Sequence, residues 1–444
     1  MGRKAALHNL GCKVNAYETE AMQQLLEEAG YEIVPFEEAA DVYIINTCTV
    51  TNMADRKSRQ MLHRARKRNP QAVVVAAGCY VQVAGEALTA DGAIDLIVGN
   101  NRKQELISLL EDFLQGRKEA GLLDLKHGAE YERLSLSRTG EHTRAYVKVQ
   151  DGCNQFCSYC IIPYARGRVR SRKREDVLEE INRLAENGYR EVVLTGIHLS
   201  SYGVDLEGES LLDLILAVHE VEGIQRIRLG SLEPGIVTEK FAKTLAKLPK
   251  LCPHFHLSLQ SGCDATLRRM NRRYTTEEYA QKCQLLRKYF TDPALTTDVI
   301  VGFPGETEEE FATTERFLEE ICFFETHVFK YSRRKGTRAD QMPNQVPEPI
   351  KTLRSSRLLE LNERNRQAYQ KLFFHRELEV LLEEPMEYEG HSYQSGHSRE
   401  YLPMLVALEE DRRNQILLAK PCEILKNGML LALPVEGEKE SFIF

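Results

Sequence analysis

Tryptophan is missing from the 444 residues, so stacking on a nucleic-acid base would fall to Tyr, Phe, His or Arg. Also missing is any run of about 18 or more apolar residues, which excludes a helical membrane span. The opening stretch MGRKAALHNLGCKVN has no apolar core followed by a small-residue cleavage site. The expectation is a cytoplasmic protein. An excess of positive charge is absent too: the net charge of −7 excludes a chain coated for non-specific nucleic-acid binding. Local basic patches stay open. What the chain does have is eleven cysteines. In a reducing compartment these are poor candidates for disulfides and better ones for metal ligands.

At roughly 150 residues per domain, the length suggests about three domains. Residues 1–118 alternate short apolar strands (5–10, 42–46, 72–77, 94–98) with helical segments. That pattern indicates a parallel, doubly wound sheet. Residues 119–142 are polar, contain glycine and lack a clear period, which reads as a linker. Residues 143–342 repeat strand–helix six times, which suggests a partial (β/α)6 barrel. Three prolines, Pro343, Pro347 and Pro349, precede a charged connecting helix within 343–373. Residues 374–444 change to short alternating segments with turns such as Asn427-Gly428, the mark of a small antiparallel β-barrel. The fold class expected is α/β.

Cys153, Cys157 and Cys160 follow the first barrel strand directly. Three thiolates within eight residues can wrap one cubane, and no fourth cysteine follows before Cys252. One iron would then stay open to a small ligand. The alternative is a zinc site completed by a distant histidine, although paired cysteine units dominate there. The Cys-x3-Cys-x2-Cys motif after the first strand of a partial barrel resembles the radical S-adenosylmethionine (SAM) superfamily. The resemblance implies a [4Fe-4S] cluster whose open iron is chelated by SAM. One electron would cleave the sulfonium and give a 5′-deoxyadenosyl radical.

Cys12, Cys48 and Cys79 are far apart in sequence, yet each sits just past a strand. Ligands of open parallel sheets bind outside the carboxyl ends of strands. Three cysteines there would converge, with Gly11 and Gly78 permitting close backbone approach. The alternative is three independent buried cysteines. The whole plan, with this trio first in a flavodoxin-like domain, the radical triplet next in a partial barrel and a small β-barrel last, resembles the methylthiotransferase family. The resemblance implies that the first trio holds a second [4Fe-4S] cluster with an open iron, involved in sulfur delivery, and that the last barrel is TRAM-like.

The segments Leu10-Gly11-Cys12-Lys13-Val14-Asn15, Tyr17-Glu18-Thr19-Glu20 and Asn46-Thr47-Cys48-Thr49-Val50-Thr51-Asn52, with Thr195-Gly196-Ile197-His198, resemble the branch acting on threonylcarbamoyladenosine at position 37 of tRNA. The isopentenyladenosine branch usually has Gln-Met-Asn after the first cysteine, and the ribosomal-protein branch Pro-Lys-Asn. Those substrates are the rival readings, and a non-catalytic iron–sulfur RNA-binding protein is the rival from another class. The usual Gly-Tyr-Thr-like segment of the last barrel is absent, and Gly396-His397-Ser398-Arg399-Glu400-Tyr401 stands near its place.

The resemblance further implies SAM contacts at strand ends: Thr195 and Gly196, then Ser231 and Glu233, then Gln260-Ser261-Gly262, and Gly302 within 301–306. A turn or helix cap is the plain alternative for each, as for Thr307 with Glu310. Two basic runs, Arg166 through Arg174 and Arg56 through Arg68, suit phosphate contacts, and a solvated face is the plain reading of the second. The partners implied are the tRNA anticodon loop and an electron donor such as flavodoxin or ferredoxin. The radical would take hydrogen from carbon 2 of the adenine. That carbon would gain sulfur, and a second SAM would supply the methyl group. Cys252, Cys263, Cys283, Cys322 and Cys422 carry no assigned role.

Overall fold

The computed structural model describes residues 2–117, 121–125, 128–138, 143–408 and 410–435. The chain opens with β1 (Lys4–Asn9), α1 (Lys13–Glu28), β2 (Glu32–Ile33), β3 (Val42–Thr47), α2 (Asn52–Arg68), β4 (Val73–Gly78), α3 (Cys79–Ala84), β5 (Leu96–Val98) and α4 (Leu106–Leu114). The strands pair in parallel in the order β2-β1-β3-β4-β5, the flavodoxin-like order. Every residue of β3 is buried, because helices cover both faces. Tyr43, Ile45 and Leu62 pack on one side, and Ile44, Met22 and Leu106 on the other. The chain direction reverses between β1 and β3, and Cys12 and Cys48 lie just beyond those two strands. Strand β2 was not expected, since two residues are too short to carry a period.

The linker is tighter than its composition suggests. Leu125, Leu134 and Leu136 are buried. The Tyr17 hydroxyl donates to the Leu134 carbonyl at 2.7 Å, and the Tyr131 hydroxyl to the Lys148 carbonyl at 2.7 Å. Leu134 and Leu136 joined Tyr17 and Ala21 in one cluster. The alternation of one short strand-like pair was too brief to register as a pattern.

The central unit begins with β6 (Arg144–Asp151), α5 (Ile162–Arg166), β7 (Arg170–Ser171), α6 (Arg174–Glu186), β8 (Glu191–Gly196), α7 (Leu211–His219), β9 (Arg226–Leu229) and α8 (Glu239–Leu245). It continues with β10 (His254–His256), α9 (Asp264–Arg269), α10 (Thr276–Tyr289), β11 (Ala294–Val301), α11 (Glu308–Ile321) and β12 (Glu325–Lys330). Sheets β7-β6-β8-β9 and β10-β11-β12 are joined by the bridges Ile227–Leu251 and Leu232–Leu257. Apart from the short antiparallel β7, the strands run parallel as a partial barrel. Val147, Leu194, Ile227, Phe255 and Val299 face the outer helices. By alternation, Lys148, Thr195, Arg228, His256 and Asp298 face the lumen. That lumen is polar, which a barrel needs only if it binds something there.

After α12 (Glu348–Lys371), strands β13 (Leu378–Tyr388), β14 (His391–Ser398), β15 (Pro403–Val406), β16 (Ile416–Ile424) and β17 (Leu430–Pro434) close a barrel in the order β13-β14-β15-β17-β16. Its pairings are antiparallel except β15 with β17. The barrel docks under the central one through 396–401. Tyr401 stacks on His254 (4.8 Å) and His397 (4.7 Å), with the Arg144 and Arg228 guanidiniums over its ring at 5.1 and 4.7 Å. Arg226 donates to the His397 carbonyl at 3.1 Å and Arg228 to that of Ser398 at 3.2 Å. No helix among the described residues is long and apolar enough to cross a membrane.

Candidate active site between two cysteine trios

The loop after β6 turns on Gly152, whose φ is +70°; a Cβ there would fall 1.9 Å from the Arg168 carbonyl oxygen. That turn aims Cys153, Cys157 and Cys160 at one another. The Gln155 amide donates to the Cys153 sulfur at 3.4 Å and the Arg272 guanidinium to that of Cys157 at 3.3 Å. Burial, then repulsion from Cys157, pushes the Cys160 thiol up to about 12, and burial pushes Cys153 to about 11. Such thiols ionise near neutral pH only against a bound cation, as an iron cluster provides.

The other trio shares a cavity of about 420 Å³, lined by Cys12, Cys48, Cys79, Arg166 and Ile162 among others. Cys12 caps α1, Cys48 follows β3 and Cys79 opens α3. Gly11 lets them approach: a Cβ on it, at φ +115°, would lie 3.1 Å from the Cys48 sulfur. Burial again raises Cys48, to about 11. Three converging thiols around one cavity fit a thiolate-bound cluster.

Beside it lies a second cavity of about 240 Å³, lined by Cys160, Gln260, Asp298, Ile300 and Tyr331. Both cavities share Val50, Thr51 and Ile162 as walls. Gln260 is buried with φ +72°. Thr195 is buried at the end of β8, and Gly196 pairs with Gln150 of β6. Glu233 is half-buried and engaged: it pairs with Arg272 at 2.6 Å and lies 3.7 Å from His198. Burial works against its charge, but His198 and Arg272 outweigh it and hold the carboxyl below the usual range. The Gly302 amide donates to Glu306 at 2.9 Å, and Glu306 in turn pairs with Arg354 at 2.7 Å. Thr307 and Glu310 do form a capping box.

Arginines provide the correction. Arg166, Arg170 and Arg172 were expected on a phosphate-binding surface, but they are buried and face inward. Arg166 donates to the Cys79 sulfur at 3.2 Å, to Glu18 at 2.7 Å and to Asn15 at 2.7 Å, and it reaches Asp151 at 3.1 Å. Lys148 and Lys103 complete this cluster through Glu18 at 2.7 and 3.0 Å. Arg172 pairs with Glu180 at 2.6 Å. Their carboxylate partners come from α1, β6 and α6, so the local sequence showed only the charge. Of the run, Arg168 and Lys173 are exposed. The α2 run is different: Arg56, Lys57, Arg59, Arg64 and Lys67 are exposed. Sequence reasoning missed Arg272, and it met Glu18 only as part of a segment; the signal for its role was a carboxylate on the buried face of an amphipathic helix.

Residues 147–318 match the family model described as Radical SAM superfamily, and residues 4–99 match Uncharacterized protein family UPF0004. The chain is 41% identical to the threonylcarbamoyladenosine tRNA methylthiotransferase MtaB of Bacillus subtilis, over 95% of this chain and 94% of that one. It is 38% identical to the tRNA-2-methylthio-N(6)-dimethylallyladenosine synthase of Moorella thermoacetica, over 84% and 86%. Among solved structures, the radical SAM methyltransferase TsrM of Kitasatospora setae, with cobalamin and a [4Fe-4S] cluster bound, matches at TM-score 0.57 and 18% identity, over 76% of this chain and 77% of that one. At that identity the likeness is one of fold. Identity of this extent to the curated relatives decides the family: the chain belongs to the radical SAM tRNA methylthiotransferases.

Proposed function

We propose that the enzyme adds a methylthio group to carbon 2 of N6-threonylcarbamoyladenosine at position 37 of tRNA. The observation that carries the reading is the pair of cavities with common walls, one at each cysteine trio. Cys153, Cys157 and Cys160 would hold one [4Fe-4S] cluster, and Cys12, Cys48 and Cys79 a second. When bound, the clusters supply the electron that cleaves SAM and the sulfur that is transferred. The rest is positioning. Gln260, Thr195, Gly196 and Gly302 line or flank the strand ends where SAM would lie. Glu233 offers a carboxylate to an ammonium or a hydroxyl. Arg272 spans Glu233 and Cys157 and so couples the SAM pocket to the cluster loop. Val50 and Ile162 put apolar surface between the cavities, where a reactive radical needs protection from water.

The exposed basic face of α2, which begins beside the Cys48 cavity, suits the phosphates of an anticodon loop, with the base splayed inward. A flavodoxin or ferredoxin would deliver the electron. Two relatives of nearly equal identity carry different substrates in their names, so the substrate must be tested. The test offers the reconstituted enzyme tRNA bearing threonylcarbamoyladenosine and tRNA bearing isopentenyladenosine in competition. Methylthiolation of the first is the expected result. Selective conversion of the second would overturn the reading.

A further inference from the structure

Three lumen residues have had no role so far, although one of them, Asp298, shares the Cys160 cavity. His256 ends β10, Asp298 lies in β11, and His327 lies in β12 directly opposite Asp298 in the register. Nε2 of His256 is 3.3 Å from Oδ2 of Asp298. The His256 and His327 rings are stacked with centroids 5.8 Å apart and planes 21° apart. One polar atom from each residue lies within 4.8 Å of the others. His256 is oriented by Thr296 at 3.1 Å through Nδ1, while its buried Nε2 has no hydrogen bond among the described residues. Asp298 lines the same cavity as Cys160 and Gln260. Along their strands, His256 precedes Gln260 by four residues and His327 precedes Tyr331 by four. The trio therefore sits one to two lumen layers below the SAM contacts, where the far end of a bound base would reach.

Two imidazoles and a carboxylate gathered on one lumen wall suit a ligand that carries both hydrogen-bond donors and oxygen acceptors.

We propose that His256, Asp298 and His327 hold the N6 substituent of the substrate adenine, and that they select a polar, carboxylate-bearing substituent over an apolar one. The inference rests on the threonylcarbamoyl reading and supplies its physical basis. The ureido N–H suits Asp298, the hydroxyl suits the His256 imidazole, and the carboxylate suits His327. An isopentenyl group would offer these side chains no hydrogen bond. Sites built to hydrogen-bond a ligand reject analogues lacking the group by factors of up to about 10⁴, whereas apolar pockets discriminate weakly.

The test uses the full chain with both clusters loaded and three anticodon stem-loop RNAs, identical except for threonylcarbamoyladenosine, isopentenyladenosine or plain adenosine at the target position. Affinity is read by fluorescence anisotropy, and the ratio of modified to plain RNA is the measure. The wild type should prefer the threonylcarbamoyl RNA about tenfold or more. His327→Ala should bring the ratio most of the way to one, and His256→Ala/His327→Ala the rest. A wild-type measurement guards against misfolding: converting the threonine carboxylate to its amide should cost about tenfold as well. If the wild type methylthiolates the threonylcarbamoyl RNA but neither the variants nor the amide changes the ratio, the chamber is excluded and the substrate reading stands. If the wild type converts only isopentenyladenosine, the substrate reading falls and takes the chamber with it. A divalent metal held beyond the cluster iron, and lost in the double variant, would also overturn the proposal.

Discussion

Arg166 donates to the sulfur of Cys79 at 3.2 Å while its other nitrogens hold Glu18 and reach Asp151, the residue just ahead of the Gly152-Cys153 turn. One buried guanidinium thus touches the first cysteine site and braces the second. Breaking a buried charge network by removing one partner costs about 3–5 kcal/mol. Arg166→Met should therefore lower the midpoint of thermal unfolding, and Arg166→Lys should recover only part, because a single ammonium cannot replace the fork. Hydrogen bonds to cluster sulfurs also tune reduction potential. Potentiometric titration should show a downward shift for the cluster at Cys79 in both variants.

The same network sets a pH dependence. Burial alone would raise the Glu18 carboxyl, but Arg166, Lys103 and Lys148 outweigh it and hold it well below the usual range. A carboxyl whose folded value is depressed contributes stability above its unfolded value of about 4.3, and that stability is lost as the pH falls through the folded value. Thermal melts between pH 7 and pH 3 should show the wild type losing its advantage over Glu18→Gln only below about pH 4.3. An advantage that vanished above pH 6 would contradict this.

Iron analysis separates the two trios. Two [4Fe-4S] clusters mean about eight irons per chain after anaerobic reconstitution. Changing Cys153, Cys157 and Cys160 to Ala should leave about four, and so should changing Cys12, Cys48 and Cys79. About four irons in the wild type would remove the second cluster.

The α2 face predicts salt-sensitive tRNA binding. Replacing Lys57, Arg64 and Lys67, all exposed, with Glu should weaken binding of every tRNA alike. The slope of log affinity against log salt should fall by about one per lost phosphate contact. Unchanged slopes would exclude that face.

The strand-end cysteines were legible because the signal is local: each follows its own strand, and strand ends of a parallel sheet meet by topology. The parallel, doubly wound sheet and the six βα units followed from continuous and repeated apolar runs, while the strand order β2-β1-β3-β4-β5 did not. The arginines after Cys160 were misread for the opposite reason. Glu18 lies 148 positions from Arg166, and nothing in a basic run says whether its counter-charge is a phosphate or a distant helix. The 396–401 segment was likewise visible as a departure, while its use in docking under Arg144 and Arg228 depended on how two barrels meet. His256 and His327 looked like ordinary strand residues until the fold stacked their rings across the intervening β11.

The division of labour between the trios is the central claim, and one variant tests it. Cys12→Ala is reconstituted, given SAM, reductant and tRNA bearing threonylcarbamoyladenosine, and its nucleosides and small molecules are read by mass spectrometry beside the wild type. The account predicts methylthiolated nucleoside from the wild type, and from the variant continued 5′-deoxyadenosine with no methylthiolated product. Methylthiolated product from the variant at the wild-type level would contradict it.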